Sequence, residues 1–331
     1  MRTNLSFATT LLVAIFLSSC NQKYVLLDFT SAKGEVPQLS NITFRFNKTL
    51  VPDSLINSWD STEYIAFEPK IAGRFRWESP DQLVFSPSKP LLPATSYTAS
   101  IRNEVLQYSK YDKVKTGDPI SFHTAPLQLT DAQVTWVIED ENTRKAVPQI
   151  SFNFNYPVKP EELKEKLRLD IDGIRADYSI QSVSAGSNVL VRLNSFKGDD
   201  KTYEAKVLIE KGIKPDGGND GTEDDIQTRL AIPSPYELII NNVESEHDGT
   251  EGVIRINTSQ QLTNENIASF INFQPRVPYT VEFNDNGVTL HSEKFSAENS
   301  YALTIAKGLH GKIGGILKED YRSSVAFGKL E

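Results

Sequence analysis

Three times, roughly one hundred residues apart, the chain repeats the same short pattern. Ile42-Thr-Phe-Arg-Phe-Asn47, Ile150-Ser-Phe-Asn-Phe-Asn155 and Val253-Ile-Arg-Ile-Asn257 each alternate apolar and polar residues and end on asparagine. Period-two alternation places the apolar side chains on one face of a strand. Asparagine suits the following turn because its side chain bonds nearby backbone and it tolerates left-handed conformations. A candidate helical turn comes next each time: Pro52–Trp59, Pro160–Leu167 and Thr263–Phe270. Pro160 with Glu161 and Glu162 fits a helix start, where no N–H is needed and acids suit the positive end.

The second halves of the repeats agree as well. Short apolar runs at Leu83–Phe85, Val191–Leu193 and Val288–Leu290 precede Tyr97–Ile101, Tyr203–Val207 and Tyr301–Ile305. Closing strands are expected at Ile120–Phe122, Thr228–Leu230 and Ser324–Phe327. A strand-rich unit of this length matches an immunoglobulin-like sandwich, whereas solenoid repeats are far shorter. The third repeat predicts seven strands: 236–245, 253–259, 270–274, 279–284, 287–292, 301–307 and 323–328, with a hairpin at Asn286-Gly287. Proline-containing joints lie at Thr124-Ala-Pro126 and Ile232-Pro-Ser-Pro235. The expectation is an all-β chain of three tandem immunoglobulin- or fibronectin-III-like antiparallel β-sandwiches, at 21–125, 126–233 and 234–331, after a signal peptide at 1–20.

The run Leu303–Gly315 holds four glycines and raises the question of a phosphate cradle. A similar set, Gly212 with Gly217 and Gly218, recurs at the same point of the second repeat. A strand precedes each set, but no helix is expected after it, and a dinucleotide fingerprint needs a helix N-terminus to receive the pyrophosphate. The glycines therefore read as loop residues that accept positive φ without cost. No nucleotide and no other cofactor is expected.

The chain has one cysteine, Cys20, so it can form neither an internal disulfide nor a zinc site built on clustered cysteines. Arg2 and the apolar run Phe7–Leu17 have the form of a signal peptide too short to span a bilayer as a stable anchor. Leu17, Ser18 and Ser19 before Cys20 resemble a bacterial lipobox, which makes Cys20 the expected site of lipidation. An ordinary secretory signal with an incidental cysteine, or a buried apolar N-terminus, is the alternative. Acyl chains on Cys20 would hold the chain at a membrane, since each buried methylene contributes about 0.8 kcal/mol. Asn21, in place of Asp, leans towards the periplasmic side of the outer membrane.

A formal net charge of −8 without a basic stripe excludes nucleic acid as an expected partner. The acidic run Asp216–Asp225 misses the EF-hand pattern, because Gly218 and Gln227 occupy its third and twelfth positions. A solvated acidic loop is the expectation there, with a looser calcium site as the alternative. His123, His247, His291 and His310 are scattered without metal-ligand spacing. No Gly-x-Ser-x-Gly elbow is present, and no catalytic or metal residues are assigned. Trp77 and Trp136 read as core anchors, and Trp59 as packing within a helical turn.

Gly73-Arg-Phe-Arg-Trp77, Ser79-Pro-Asp-Gln-Leu83, Phe85-Ser-Pro87 and Thr95-Ser-Tyr97-Thr98 together resemble the amino-terminal region of the large bacterial alpha-2-macroglobulin lipoproteins. Phe154–Val158 with Pro160–Leu163 is similar to the family's next domain, and Thr258–Gln260, Lys307–Leu309 and Gly314-Gly315 to its third. The resemblance implies macroglobulin-type sandwiches in an envelope protein related to endopeptidase inhibitors, with proteases or other envelope proteins as partners. Many such inhibitors carry a Cys-x-Glu-Gln thioester. Here Cys20 is followed by Asn-Gln and belongs to the lipobox, so no thioester residue is assigned. The expected role is tether and scaffold within an amino-terminal piece. The competing expectation is an exported immunoglobulin-like lipoprotein that binds a glycan or a protein.

Overall fold

The computed structural model describes residues 23–140, 142, 145–263 and 266–328. The signal peptide, with Leu17, Ser18, Ser19 and Cys20, lies outside the described residues. Within them the chain is built from strands, with one α-helix, Pro160–Lys166, and three short 3-10 turns. It divides into two compact units. One runs through Leu91 and resumes at Tyr97–His123; the other comprises Leu92–Ser96 and the chain from Thr124 onward.

In the first unit the Ile42–Phe46 strand alternates as its sequence demands: Ile42, Phe44 and Phe46 are buried, and Arg45 faces out. It lies inside a six-stranded sheet with the order Trp59–Asp60, Gly73–Ser79, Gln82–Pro87, Ile42–Phe46, Tyr24–Thr30 and Lys113–Lys115. A four-stranded sheet contains Gly34–Glu35, Ile120–His123, Ser96–Ile101 and Ile65–Glu68. Phe44, Phe67, Phe75, Trp77, Phe85 and Phe122 fill one core contributed by both sheets. Each such side chain contributes roughly 1.5–3 kcal/mol through removal from water. Tyr97 stacks on Phe122 with ring centroids 5.1 Å apart. The sandwich is not wholly antiparallel: Tyr24–Thr30 pairs in parallel with Lys113–Lys115, and Ile120–His123 with Gly34–Glu35. These partners are far apart in sequence, as a parallel pair requires.

Tyr64 is buried in this core, and its hydroxyl donates to Asp60 Oδ2 at 2.7 Å. Burial first, then Asp60, pushes its pKa up to about 12. The folded phenol thus holds its proton more tightly than an unfolded tyrosine, which titrates near 10. Its contribution is complete below about pH 10 and is lost as pH rises through about 12. Denaturant midpoints of the first unit are expected to fall over that window by the equivalent of roughly 2 kcal/mol. Tyr64→Phe should remove that slope; an unchanged slope in the variant would assign it elsewhere.

The second unit holds two further pairs of sheets. The first pair consists of Leu129–Asp140, Lys145–Val158, Gly186–Leu193 and Tyr178–Ile180, and of Ile174–Arg175, Leu167–Ile171, Tyr203–Ile209 and Ile226–Ile232. Ile150, Phe152, Leu163, Val189, Val191 and Ile209 lie in its core. The helix Pro160–Lys166 begins at the proline, carries Glu161 and Glu162 in its first turn, and buries Leu163. The second pair consists of Ile240–His247, Gly252–Thr258, Gly287–Ser292 and Thr280–Asn284, and of Ile271–Gln274, Ser300–Ile305 and Tyr321–Ala326. All seven strands expected from the third repeat are present there. Tyr301 packs edge-on against Phe295 at 5.3 Å.

The expected hairpin forms, but not on the expected dipeptide. Asn284 pairs with Gly287, so Asp285 and Asn286 make the turn and Gly287 is already in the strand. Its glycine is required by close approach: a Cβ at Gly287 would lie 1.9 Å from the Ile256 carbonyl oxygen. Trp59 also departs from its reading. It stands on a two-residue strand, 45% exposed, with the Arg76 guanidinium 4.8 Å over its ring. Trp77 and Trp136 are buried as expected.

Candidate functional site

The residues that recur in the three repeats turn out to shape the backbone. In Leu303–Gly315 the glycines serve two purposes. Gly308 and Gly314 adopt φ of +88° and +108°, the conformation expected of them. Gly311 and Gly315 do not; they make room for the side chain of Gln260. A Cβ on Gly311 would sit 2.3 Å from Gln260 Oε1, and one on Gly315 would sit 2.1 Å from Nε2.

Gln260 is fully buried. Its Nε2 donates to the Pro235 carbonyl at 2.7 Å and to the Glu237 carbonyl at 3.3 Å. Its Oε1 accepts from the Gly315 N–H at 3.0 Å. The amide thus stitches the Pro233–Pro235 joint to the glycine loop. Trp136 completes the seam. Its backbone N–H donates to the Ser259 carbonyl at 2.7 Å, and its indole N–H to the Pro233 carbonyl at 2.9 Å. Gly198 lies against the indole, where a Cβ would meet the ring at 2.5 Å. The Ile232–Pro235 joint is therefore a hydrogen-bonded seam, buried from Ile232 to Ser234.

The Asp216–Asp225 run is a solvent-exposed acidic loop, as expected, and several of its carboxylates also make specific bonds. Asp220 Oδ2 accepts from Ser96 N at 2.7 Å and Ser96 Oγ at 2.8 Å, and Asp220 N donates to the Ala94 carbonyl. Asp225 accepts from Lys211 N, and Asp216 pairs with Lys159 at 3.2 Å. Carboxylates spent on backbone donors are not gathered around a cation. Among the described residues no group of three His, Cys, Asp or Glu side chains is placed to hold a metal. His247 bonds the Phe295 carbonyl and the Gly249 N–H, at 2.9 and 3.0 Å. His291 lies between Glu251 and Glu282, at 3.5 and 3.4 Å. Beside His247, Asp248 accepts from Glu251 N, Thr250 Oγ1 and Thr250 N, which holds its carboxyl down at about 2.

One concavity has the character of a binding groove. It has a volume of about 490 Å³ and is lined by Ile171, Ile174, Ala176, Leu193, Phe196 and Tyr203. Asp172 and Lys201 form its rim, 3.4 Å apart, and Lys201 Nζ lies 4.1 Å over the Tyr203 ring. Tyr97 and Tyr301 are buried in their own cores, but Tyr203 is half-buried and meets Phe196 edge-on at 5.0 Å. The groove opens where the second repeat departs from the other two. Burial, then a bond to Asp199, holds the Tyr203 phenol above its ordinary range. It stays protonated near neutrality and can donate a hydrogen bond. The groove is suited to an apolar group with a polar edge, and Asp172, Asp177, Ser195 and Lys201 supply its polar lining. The sequence reading missed it. The available signal was Asp172-Gly173 between Ile171 and Ile174, a left-handed two-residue turn with φ of +48° and +84° that projects a short apolar hairpin.

Comparison with known proteins places this geometry. Residues 27–124 match the family described as bacterial Ig-like domain. An alpha-2-macroglobulin of Pasteurella multocida is 22% identical over 296 residues, covering 81% of this chain and 15% of that protein. An alpha-2-macroglobulin of Rickettsia conorii is 21% identical over 211 residues, covering 63% of this chain and 11% of that protein. The chain is similar in sequence to these two bacterial alpha-2-macroglobulins. It spans only a small fraction of the length of these relatives. Solved structures of the surface layer protein SbsC and of the human desmocollin-1 ectodomain align at 8% and 9% identity with TM-scores of 0.22 and 0.19, too low to carry an argument.

Proposed function

We propose that this chain is a membrane-tethered, non-catalytic part of an alpha-2-macroglobulin-like endopeptidase inhibitor, acting as tether and scaffold. The observation that carries the reading is the similarity to alpha-2-macroglobulins along 81% of the chain. The use of Gln260, Trp136 and the loop glycines in packing supports the scaffold part. Cys20, the only cysteine, supplies the tether as a lipidated residue at the cell envelope, on the periplasmic side of the outer membrane. No second thiol exists with which to form a thioester inside this chain. Proteases and neighbouring envelope proteins are the partners.

The test is incubation of the full chain with serine, cysteine and metallo-endopeptidases. The reading expects no adduct that survives SDS and full residual activity of each protease on a small substrate. An SDS-stable adduct, or abolished protease activity, would show trapping machinery that a scaffold lacks. Saturable binding to a glycan, lost on Tyr203→Ala, would assign the chain to exported carbohydrate-binding proteins instead.

A further inference from the structure

The outward face of the first unit's six-stranded sheet is apolar and basic where solvent contact would favour small polar residues. Tyr24, Leu26 and Phe29 project from its Tyr24–Thr30 strand, 46%, 41% and 47% exposed. They belong to the outer face because Val25 is fully buried and because Phe29 pairs with the outward Arg45. The strand is internal to the sheet, so its exposure is not that of an edge. Tyr24 pairs with Lys113 and Leu26 with Lys115, which puts both lysines on the same face, while Val114 between them turns inward.

The cations lie against the aromatic rings. Lys115 Nζ is 3.6 Å from the Tyr24 ring centroid, and the Arg45 guanidinium is 5.4 Å from that of Phe29. Further across the sheet, Trp59 and Arg76 repeat the pairing at 4.8 Å. Nearby carboxylates are engaged: Asp28 pairs with Arg45 at 3.5 Å and Glu78 with Arg76 at 2.6 Å, while Asp112 accepts from the Lys23 backbone N–H at 2.9 Å. Among the described residues Lys113 and Lys115 form no ion pair. On a chain of formal charge −8, a cationic and aromatic face is a local reversal of sign.

We propose that this face docks on the anionic phospholipid surface of the membrane that holds Cys20. The inference rests on the tether reading. Three residues separate Cys20 from Tyr24, so the four Cα-to-Cα steps reach at most about 14 Å in an extended chain. A lipidated Cys20 therefore delivers this strand, rather than another part of the protein, to the headgroups. Tyrosine, tryptophan and lysine are side chains with an apolar body and a polar tip, suited to the zone between acyl chains and water. Phosphate headgroups supply the negative charge that Lys113 and Lys115 lack. Each cation close to an anionic leaflet strengthens attachment by about fivefold.

The test uses the mature, lipidated chain reconstituted in phosphatidylcholine vesicles with or without one-third phosphatidylglycerol. Acetylation rates of individual lysines are read by mass spectrometry. Lys113 and Lys115 are expected to react at least about fivefold more slowly on the anionic vesicles, with Lys145 and Lys318 unchanged. High salt should abolish the protection. Tyr24→Ser with Phe29→Ser keeps both lysines and all inward residues, and it should reduce the protection several-fold with an unaltered circular dichroism spectrum. Equal reactivity on both vesicle types would overturn the proposal. So would protection seen only when other envelope proteins are added, which would make the face a protein contact. The mass of the Cys20 peptide in the same sample separates the two readings. An unmodified Cys20 defeats the tether, whereas an acylated Cys20 with unprotected lysines defeats the docking alone.

Discussion

Replacing Gln260 with leucine is expected to lower the unfolding temperature of the second unit by about 6–12 °C and to leave the first unit unmoved. Gln260 has no access to water, so its partners cannot be satisfied by solvent once the amide is gone. The Pro235 carbonyl and the Gly315 N–H would be left without their buried partner, at about 1–3 kcal/mol each. The Glu237 carbonyl still accepts from Ser259 Oγ at 3.4 Å and loses less. A total near 3 kcal/mol follows, against which leucine gains little, because Gly311 and Gly315 offer it no side chains to pack on. Gln260→Glu distinguishes lost bonding from lost volume. It keeps an acceptor for Gly315 but turns an oxygen on the Pro235 carbonyl, 2.7 Å away, so it should be the worse substitution at neutral pH and recover on acidification. Scanning calorimetry with separate transitions for the two units is the measurement. A shift of both transitions, or of neither, would contradict the assignment of Gln260 to an internal seam of the second unit.

Gly287→Ala is expected to destabilise the same unit by about as much, for a different reason. The added methyl group would lie 1.9 Å from the Ile256 carbonyl oxygen, which is backbone and cannot rotate away. Relieving the clash means separating Gly287 from Asn257, its partner in the neighbouring strand. Overpacking of a well-filled site costs about 1–3 kcal/mol, and φ of +148° adds further strain for any L residue. The sum is roughly 3–5 kcal/mol. Gly314→Ala is the matched control. It too has positive φ, +108°, but nothing lies within 4 Å of its Cβ position, so only the conformational term applies, about 1–2 kcal/mol. Equal losses for the two variants, read from urea midpoints, would show that conformation and not close approach governs Gly287.

What the sequence made legible was the part that depends on local pattern. The seven strands of the third repeat were visible because Ile254, Ile256, Leu290, Leu303 and Ile305 alternate with polar residues and each ends up buried. The helix start at Pro160 was visible because proline and two acids mark it chemically. What stayed hidden depends on partners distant along the chain. Gln260 looks like a surface residue, and only a loop some fifty residues later, with two glycines placed against it, makes its burial possible. Asp220 is exposed, as its sequence suggests, but its bond to Ser96, 124 residues away, has no local signal. The strand Tyr24–Thr30 was obscured by the signal-like run before it and by an outer face as apolar as a core. A proline rule would have demoted Lys145–Val158, yet Pro148 sits where only one neighbouring strand is paired, with Trp136 opposite, so its missing N–H breaks no ladder on the other side.

For a β-scaffold proposed to be held on a lipid tether, the tether is the feature most directly open to measurement. The mass of the N-terminal peptide of the chain extracted from bacterial membranes decides it. The account predicts a mature chain that begins at Cys20 and carries a thioether-linked diacylglycerol. A peptide that extends upstream of Cys20, or a Cys20 recovered as a free thiol, would contradict it.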